Sequence, residues 1–461
     1  MRCVPSPHSL FWVAIGLCHA LTLVGCKRSL TLGTSTVPAA QVGTVVATPP
    51  EREPAPGQTR VLGTGWYANV EVDAQDRLHF AWTDADLGDV LYAVSEPQAV
   101  VPGAPSVVES DGAVGSYLRL SVAPGGVPVL AYYDQDDKTL RLAHRPADLE
   151  RMATAGARLG AKVTRTPPKV RIPGEKPPPP PQTGMGPGWH GEEVAFGDNA
   201  GLAGDLTVDN EGVPHLIYYT KNEKLRYATR PSGVAAFGVE VNGVFDKQDI
   251  DERAGGSYTM STDVIVTDGT VVASYCNWNY IDSQLKIAIR PKGESLFQVV
   301  EATPLEKLVD GWHSTLLPVG DGKVEVFSVA NGEARLLRGT LDLQAPTPLL
   351  SRSALVERPS ATVVRRAADG TLWVLTRLLG LPSFDEQPGV SLVEIPKGDM
   401  QRAHRFLLEP GLDRDPWIDL ELLSDGTPVA VWSSRESLSM KMYVHRRAAT
   451  TDAALNPLVS P

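Results

Sequence analysis

The chain has 461 residues, 42% of them apolar, and a formal net charge of −11 from 43 basic and 54 acidic side chains. That apolar share is ample for a packed core. The acidic balance, with no run of Lys or Arg longer than two, leaves no electrostatic footprint for a polyanion and argues against nucleic acid as a partner. Length alone permits two or three ordinary domains or one large all-β array.

In chain order, Met1 to Cys26 reads as an export signal. Arg2 supplies the positive end, Leu10 to Val24 is apolar but too short to stay as a mature span, and small residues precede a cysteine. Leu23-Val24-Gly25-Cys26 resembles the lipobox of bacterial lipoproteins. The resemblance implies removal of residues 1–25, acylation of Cys26 with diacylglycerol and palmitate-type chains, and a protein held to a membrane through its N-terminal lipid without spanning it. Lys27 stands where an Asp would favour inner-membrane retention in the enterobacterial sorting pattern, so the resemblance also implies a bacterial cell envelope address at the outer membrane. An ordinary secretory signal with a coincidental cysteine is the alternative. Cys3 and Cys18 leave with the signal and Cys26 is taken by the lipid, which leaves Cys276 as a lone thiol and allows no intrachain disulfide. Cys276 is read as a small residue of a strand end rather than a nucleophile. Residues 26–58, rich in Thr, Val, Pro and Ala without a sustained period, read as the lipidated cysteine and a flexible tether.

From Thr59 to about Arg447 one unit recurs. Gly126-Val127-Pro128-Val129-Leu130-Ala131-Tyr132-Tyr133 followed by Leu140-Arg141-Leu142-Ala143 is repeated by Gly212-Val213-Pro214-His215-Leu216-Ile217-Tyr218-Tyr219 followed by Leu225-Arg226-Tyr227-Ala228. The tight turn before the apolar strand falls at Asp76, Gly126, Gly212, Gly269, Gly322, Gly370 and Gly426, at intervals of 50, 86, 57, 53, 48 and 56 residues. Two alternating runs joined by such a turn, then a third run and in some units a fourth, make four antiparallel strands in about 50 residues, the size of one propeller blade. The expected fold is all-β, a seven-bladed β-propeller of four-stranded blades over residues 59–447, with residues 448–461 as a polar tail. A single 50-residue sheet cannot bury both faces, whereas blades stacked around an axis cover one another. Arg60-Val61-Leu62 precedes the first unit and is expected to complete the seventh blade and close the ring. The long second interval exposes a Pro-rich insertion, 147–191, placed between blades 2 and 3. Its composition favours polyproline II or an unfolded loop.

In known propellers the innermost strands line a central channel, and function gathers at its mouth. The residues leading into those strands include Trp66 and Tyr67, Tyr117, Tyr258, Trp312 and His313, and Trp417. Aligning the units by their turns places Asn69, Arg119, Asp205, Thr315 and Asp419 at one position, with Asp263 close by. The alternating Val70, Leu120, Leu206, Leu316 and Leu420 are expected to pack between blades. Rings over converging carboxylates, an amide and an arginine suit a carbohydrate; the bland alternative is aromatics plugging blade interfaces above a watery channel. Asp84, Asp86 and Asp89, and Asp134, Asp136 and Asp137, cluster in loops after second strands. Carboxylates at alternating positions can ligate calcium, but the spacing lacks the glycine and terminal glutamate of a helix-loop-helix calcium site, and solvated turn residues are the better reading; no metal or other cofactor is assigned.

Ser424-Asp425-Gly426-Thr427 and Asp369-Gly370-Thr371-Leu372-Trp373 resemble the Asp-box turn of the sialidase-like propeller group. The resemblance implies that architecture, and for an active sialidase it also implies three arginines around a carboxylate, a Tyr-Glu pair and an acidic proton donor. Only Arg119 has a channel position; Arg171-Ile172-Pro173 matches that family's first arginine in letters but lies inside the Pro-rich insertion. No nucleophile elbow, His-Glu-x-x-His helix or phosphate loop occurs. The leading expectation is therefore an envelope-anchored lipoprotein whose propeller binds a glycan or protein without catalysis. The alternatives are a sialidase-like glycoside hydrolase or polysaccharide lyase using Asp205, Asp263 and Asp419, and a scaffold of an envelope protein assembly.

Overall fold

The computed structural model describes most of residues 57–445; the segments 146–183, 231–245, 303–310 and 379–387, several shorter loops and both ends lie outside the described residues. The expectations for the signal, Cys26, the tether, Arg171-Ile172-Pro173 and the tail all fall in that outside part. What is described is almost entirely antiparallel strand. Five four-stranded sheets and one seven-stranded sheet account for every named strand, and the seven-stranded sheet is two blades sharing one chain segment. Gln58–Val72 is that segment: Arg60 pairs with Met442 at the outer edge of blade 7, and ten residues on Val70 pairs with Phe80 as the inner strand of blade 1. The ring thus closes by non-local pairing, through the strand expected to do so.

Gly57 fits there because it lacks a side chain. A Cβ at that position would lie 2.3 Å from the Val444 carbonyl oxygen, while its own N–H donates to the Tyr443 hydroxyl at 3.1 Å.

The repeated turn has a backbone cause. Asp76, Gly126, Gly212, Gly269, Gly322, Gly370 and Gly426 all take positive φ, between 55° and 85°, which a two-residue hairpin requires and which glycine adopts without steric cost. An aspartate at the start of several of these turns locks the bend: Asp73 Oδ1 accepts from the N–H groups of Gln75 and Arg77, and Asp209 Oδ1 from those of Glu211 and Val213.

Seven hydrophobic clusters fill the seven interfaces between neighbouring blades, the last joining blade 7 to blade 1. Second strands such as Val127–Asp134, Pro214–Tyr219, Leu372–Leu378 and Pro428–Ser433 are buried along their whole length, because both edges are paired and both faces are covered. Each large aliphatic side chain so buried contributes about 1.5–3 kcal/mol. Val70, Leu120, Leu206, Leu316 and Leu420 are buried between blades as the alternation requires, and Val364 takes the same place in blade 6. Cys276 is buried in the second strand of blade 4, Thr270–Trp278, and forms no disulfide with another described residue.

The structure differs in one placement. His190–Phe196 pairs with Thr139–His144 as the fourth strand of blade 2, so the Pro-rich segment is a connection within blade 2, not between blades 2 and 3. The unit was misread because its third run is followed at once by the insertion, which separates the fourth strand from its own sheet in sequence.

Candidate functional site

Inner strands from all seven blades, Gln58–Val72, Ser116–Ala123, Leu202–Val208, Asp263–Thr267, Trp312–Gly320, Pro359–Arg366 and Trp417–Leu422, wall a central cavity of about 430 Å³. Their registers against the second strands place the polar residues in two tiers. Asn69, Arg119, Asp205, Asp263, Thr315, Val363 and Asp419 form the first. Two residues further along each strand, Glu71, Ser121, Thr207, Ile265, Leu317, Arg365 and Glu421 form the second. The aligned set from the sequence is therefore brought together, with Asp263 in full register.

Sequence reasoning missed the second tier. Continuing the period of two past Asn69 and Asp419 would have reached Glu71 and Glu421. Arg365 had no such signal, because its first-tier neighbour in blade 6 is the apolar Val363.

First-tier side chains also stitch the ring. Asp205 Oδ2 accepts the Val264 N–H at 2.9 Å, Asp263 Oδ2 accepts the Leu316 N–H at 2.5 Å, and Asp419 Oδ2 accepts the Val70 N–H at 3.0 Å, each across to the next blade. Asn69 Nδ2 donates to the Leu118 carbonyl at 3.1 Å in the same sense. Each carboxylate keeps its other oxygen for further contacts. Arg119 lies 3.3 Å from Asp205, and Arg365 lies 2.5 Å from Glu421 and 4.0 Å from Asp419.

These groups are walled in by protein yet keep 16–25% of their side-chain surface open to the cavity. Desolvation therefore dominates their acidity. Burial, with the neighbouring Asp205 carboxylate, pushes Asp263 up to about 8, and the two acids hydrogen-bond to each other, so the pair retains a proton at neutral pH. Burial raises Asp419 to about 6 against the pull of Arg365. Glu71 is raised well above the carboxylate range, by burial first and the Glu421 charge second. Burial, then the Arg119 and Arg377 charges, lower His313 to about 4, so its imidazole is neutral. Burial works against the charge on Arg365, but Glu421, Asp419, Glu71 and Asp263 more than offset it and hold the guanidinium protonated.

At the start of the inner strands the register slips by one residue in blades 1, 2, 3, 5 and 6; in blades 1, 2 and 5 the slip lies between Trp66 and Asn69, Ser116 and Arg119, and Trp312 and Thr315. The residue in each bulge, Tyr67, Tyr117 and His313, has a positive φ of 55°, 56° and 44°. A β-bulge re-aims side chains, and a left-handed backbone at an aromatic residue is a strained conformation concentrated at functional positions. Tyr67 and Trp417 meet at a tilt of 50° with ring centroids 4.3 Å apart, Tyr117 packs edge-on to Trp417 at 6.4 Å, and the Arg119 guanidinium lies 5.8 Å from the Trp417 ring centre. Trp417 and His313 line the cavity, with the two tyrosines behind Trp417.

Two proposed mouth residues lie elsewhere. Trp66 is 39% exposed and outside the cavity wall, and Trp312 packs on the core between blades 5 and 6. Both precede the bulge, where the alternation used to place them breaks. Tyr258 is outside the described residues.

The aspartate loops are turn devices. Asp84 Oδ1 accepts from the N–H groups of Asp86 and Leu87, Asp134 Oδ1 from those of Asp136 and Asp137, and Asp137 pairs with Arg141. Among the described residues no group of three or more His, Cys, Asp or Glu is arranged to hold a metal ion. His79 and His215 repeat one device in blades 1 and 3. Each contacts a tyrosine hydroxyl through Nδ1 at 2.6 Å, from Tyr92 or Tyr227, and the turn aspartate through Nε2, Asp73 at 3.1 Å or Asp209 at 3.0 Å.

The sequence matches no known family and no curated protein. Solved structures similar to this chain include a protein of unknown function from Dyadobacter fermentans (9% identity, 84% of this chain and 98% of that chain, TM-score 0.44). They also include the Aleuria aurantia lectin (8% identity, 72% and 92%, TM-score 0.41) and the Hadza microbial sialidase Hz136 (10% identity, 83% and 66%, TM-score 0.40). The seven-bladed ring rests on the strand pairings and interfaces above, not on these distant likenesses.

Proposed function

We propose that this propeller is a non-catalytic binding module that takes a saccharide in its central channel. The observation that supports it is Trp417 at the wall of a 430 Å³ cavity, with the Arg119 guanidinium over its ring and Asp205 paired to that guanidinium. An indole face can pack on a sugar ring, while the carboxylates, Asn69 and Arg119 below it offer acceptors and donors to hydroxyl groups. The volume suits a terminal residue or two of a glycan. The hydrolase reading is less favoured, because a glycosidase pair needs carboxyl groups about 5–9.5 Å apart, and Asp205 and Asp263 share a hydrogen bond. We also propose, from the lipobox resemblance alone, that the module is displayed on a bacterial envelope through a lipid on Cys26.

A glycan-array screen of the purified chain, followed by calorimetry on any hit, tests the binding reading. Trp417→Ala should weaken a genuine channel ligand at least tenfold, about 1.4 kcal/mol. Binding unchanged in that variant, or no hit on the array, overturns it; glycan cleavage during incubation overturns the non-catalytic part.

A further inference from the structure

We infer that the channel selects a cationic ligand, and that a saccharide bound there carries free amino groups. The inference rests on the saccharide reading above and names its substrate class. Among the described residues, Glu71, Asp205, Asp263 and Asp419 line the cavity with two guanidiniums, Arg119 and Arg365; outside the lining, Glu421 pairs with Arg365 and the Arg377 charge acts on His313. The one imidazole in the wall, His313, is neutral, and the remaining wall of the two tiers is hydroxyl, amide and aliphatic: Asn69, Ser121, Thr207, Thr315, Ile265, Leu317 and Val363. A carboxylate-bearing sugar would enter a cavity with more acids than bases, at a cost that low dielectric magnifies. An ammonium would supply the missing positive charge.

The cavity already contains an internal version of that contact. Arg119 places a cation near the Trp417 ring and beside Asp205 at once, the pairing of aromatic face and carboxylate that an ammonium ligand uses. Arg119 is then both a template for the ligand's charge and its competitor. Asp263, which burial and the Asp205 carboxylate raise to about 8, shows the same shortage of positive charge: it is easier for this wall to hold a proton than a further negative charge.

The test uses four-residue oligomers of glucosamine, N-acetylglucosamine and galacturonate, titrated by calorimetry at pH 6 and pH 7 into the purified chain. The free-amine oligomer should bind about tenfold or more tighter than its acetylated counterpart, weaken with salt, and leave the acidic oligomer without measurable binding. Arg119→Gln should strengthen the free-amine oligomer about three- to tenfold, since the internal competitor is gone. If the acetylated or acidic oligomer binds as tightly as the amine, or Arg119→Gln weakens amine binding, the inference falls while the saccharide reading stands. If no oligomer binds and the array is also empty, both fall. Should Arg119→Gln fail to fold, the salt dependence of the parent chain decides: amine binding that does not weaken between low and high salt overturns the inference.

Discussion

Two buried charge clusters in this molecule are built to opposite specifications. Between blades 1 and 2, Glu109, fully inaccessible, accepts from the Tyr132 hydroxyl and from Arg141, and Arg141 also reaches Asp134 at 2.6 Å and Asp137 at 2.9 Å. Both guanidinium ends are used, and the lone pairs of Glu109 are shared between a cation and a hydroxyl. In the channel, by contrast, four carboxylates and two guanidiniums line the wall among the described residues, with Glu421 beside Arg365; burial raises Asp263 to about 8 and Glu71 well above its ordinary value, and the cavity between them is open. A cluster that completes its own hydrogen bonds holds two sheets in register. One that does not has unspent capacity for something else. The contrast extends to single aspartates. Burial works to raise Asp73, but hydrogen bonds from His79 and Arg77 outweigh it and hold the carboxyl well below its usual range, whereas Asp263, with a second acid for a neighbour, moves the other way.

That contrast can be broken most sharply at Arg141. Arg141→Met leaves Glu109 and Asp134 buried without their cation, and the expected loss of about 3–5 kcal/mol should appear as a lower urea midpoint with an unchanged slope. The matching change in the channel, Arg365→Met, should cost much less, about 1 kcal/mol at pH 6. Its partners keep part of their surface open to the cavity and can take up protons. Equal losses in the two variants would mean that the clusters are equivalent and the comparison is wrong.

The smallest effect is expected at Asp263, and its diagnostic is the pH profile. A carboxyl raised from 3.8 to about 8 on folding binds its proton more tightly in the folded state, so its contribution to stability declines as pH rises across that interval. Asp73, held low, contributes in the opposite sense: its stabilisation is present above its unfolded value and is lost as pH falls into the acid range. Asp263→Asn mimics the protonated form, keeps an oxygen for the Leu316 N–H, and should flatten the decline between pH 5 and 8 while changing stability at pH 6 by less than about 1 kcal/mol. A profile as steep as the parent's would show that Asp263 is not the group that titrates.

Much of the architecture was legible because it repeats. Seven turns with glycine or aspartate, the period-two strands and the stray N-terminal run Arg60-Val61-Leu62 each point to the same ring, and no single one had to be strong. The first tier of the channel was legible for the same reason: Asn69, Arg119, Asp205, Thr315 and Asp419 fall at one offset from their turns. The failures came where one local event breaks the repeat. A one-residue bulge removed Trp66 and Trp312 from the mouth, and an insertion detached His190–Phe196 from its blade.

By itself the amino-acid sequence determined the blade count, the closing strand and which face of the inner strand is polar in every blade but the sixth, since alternation and turn stereochemistry are local rules that the repeats reinforce. Only the tertiary structure decided that Glu71 and Arg365 share a cavity with the first tier, that Glu421 pairs with Arg365, and that the Asp205 carboxylate stands close enough to Asp263 to help raise it. Those facts depend on the spacing of side chains from different blades and on the exclusion of water between them, and neither is encoded in any one repeat.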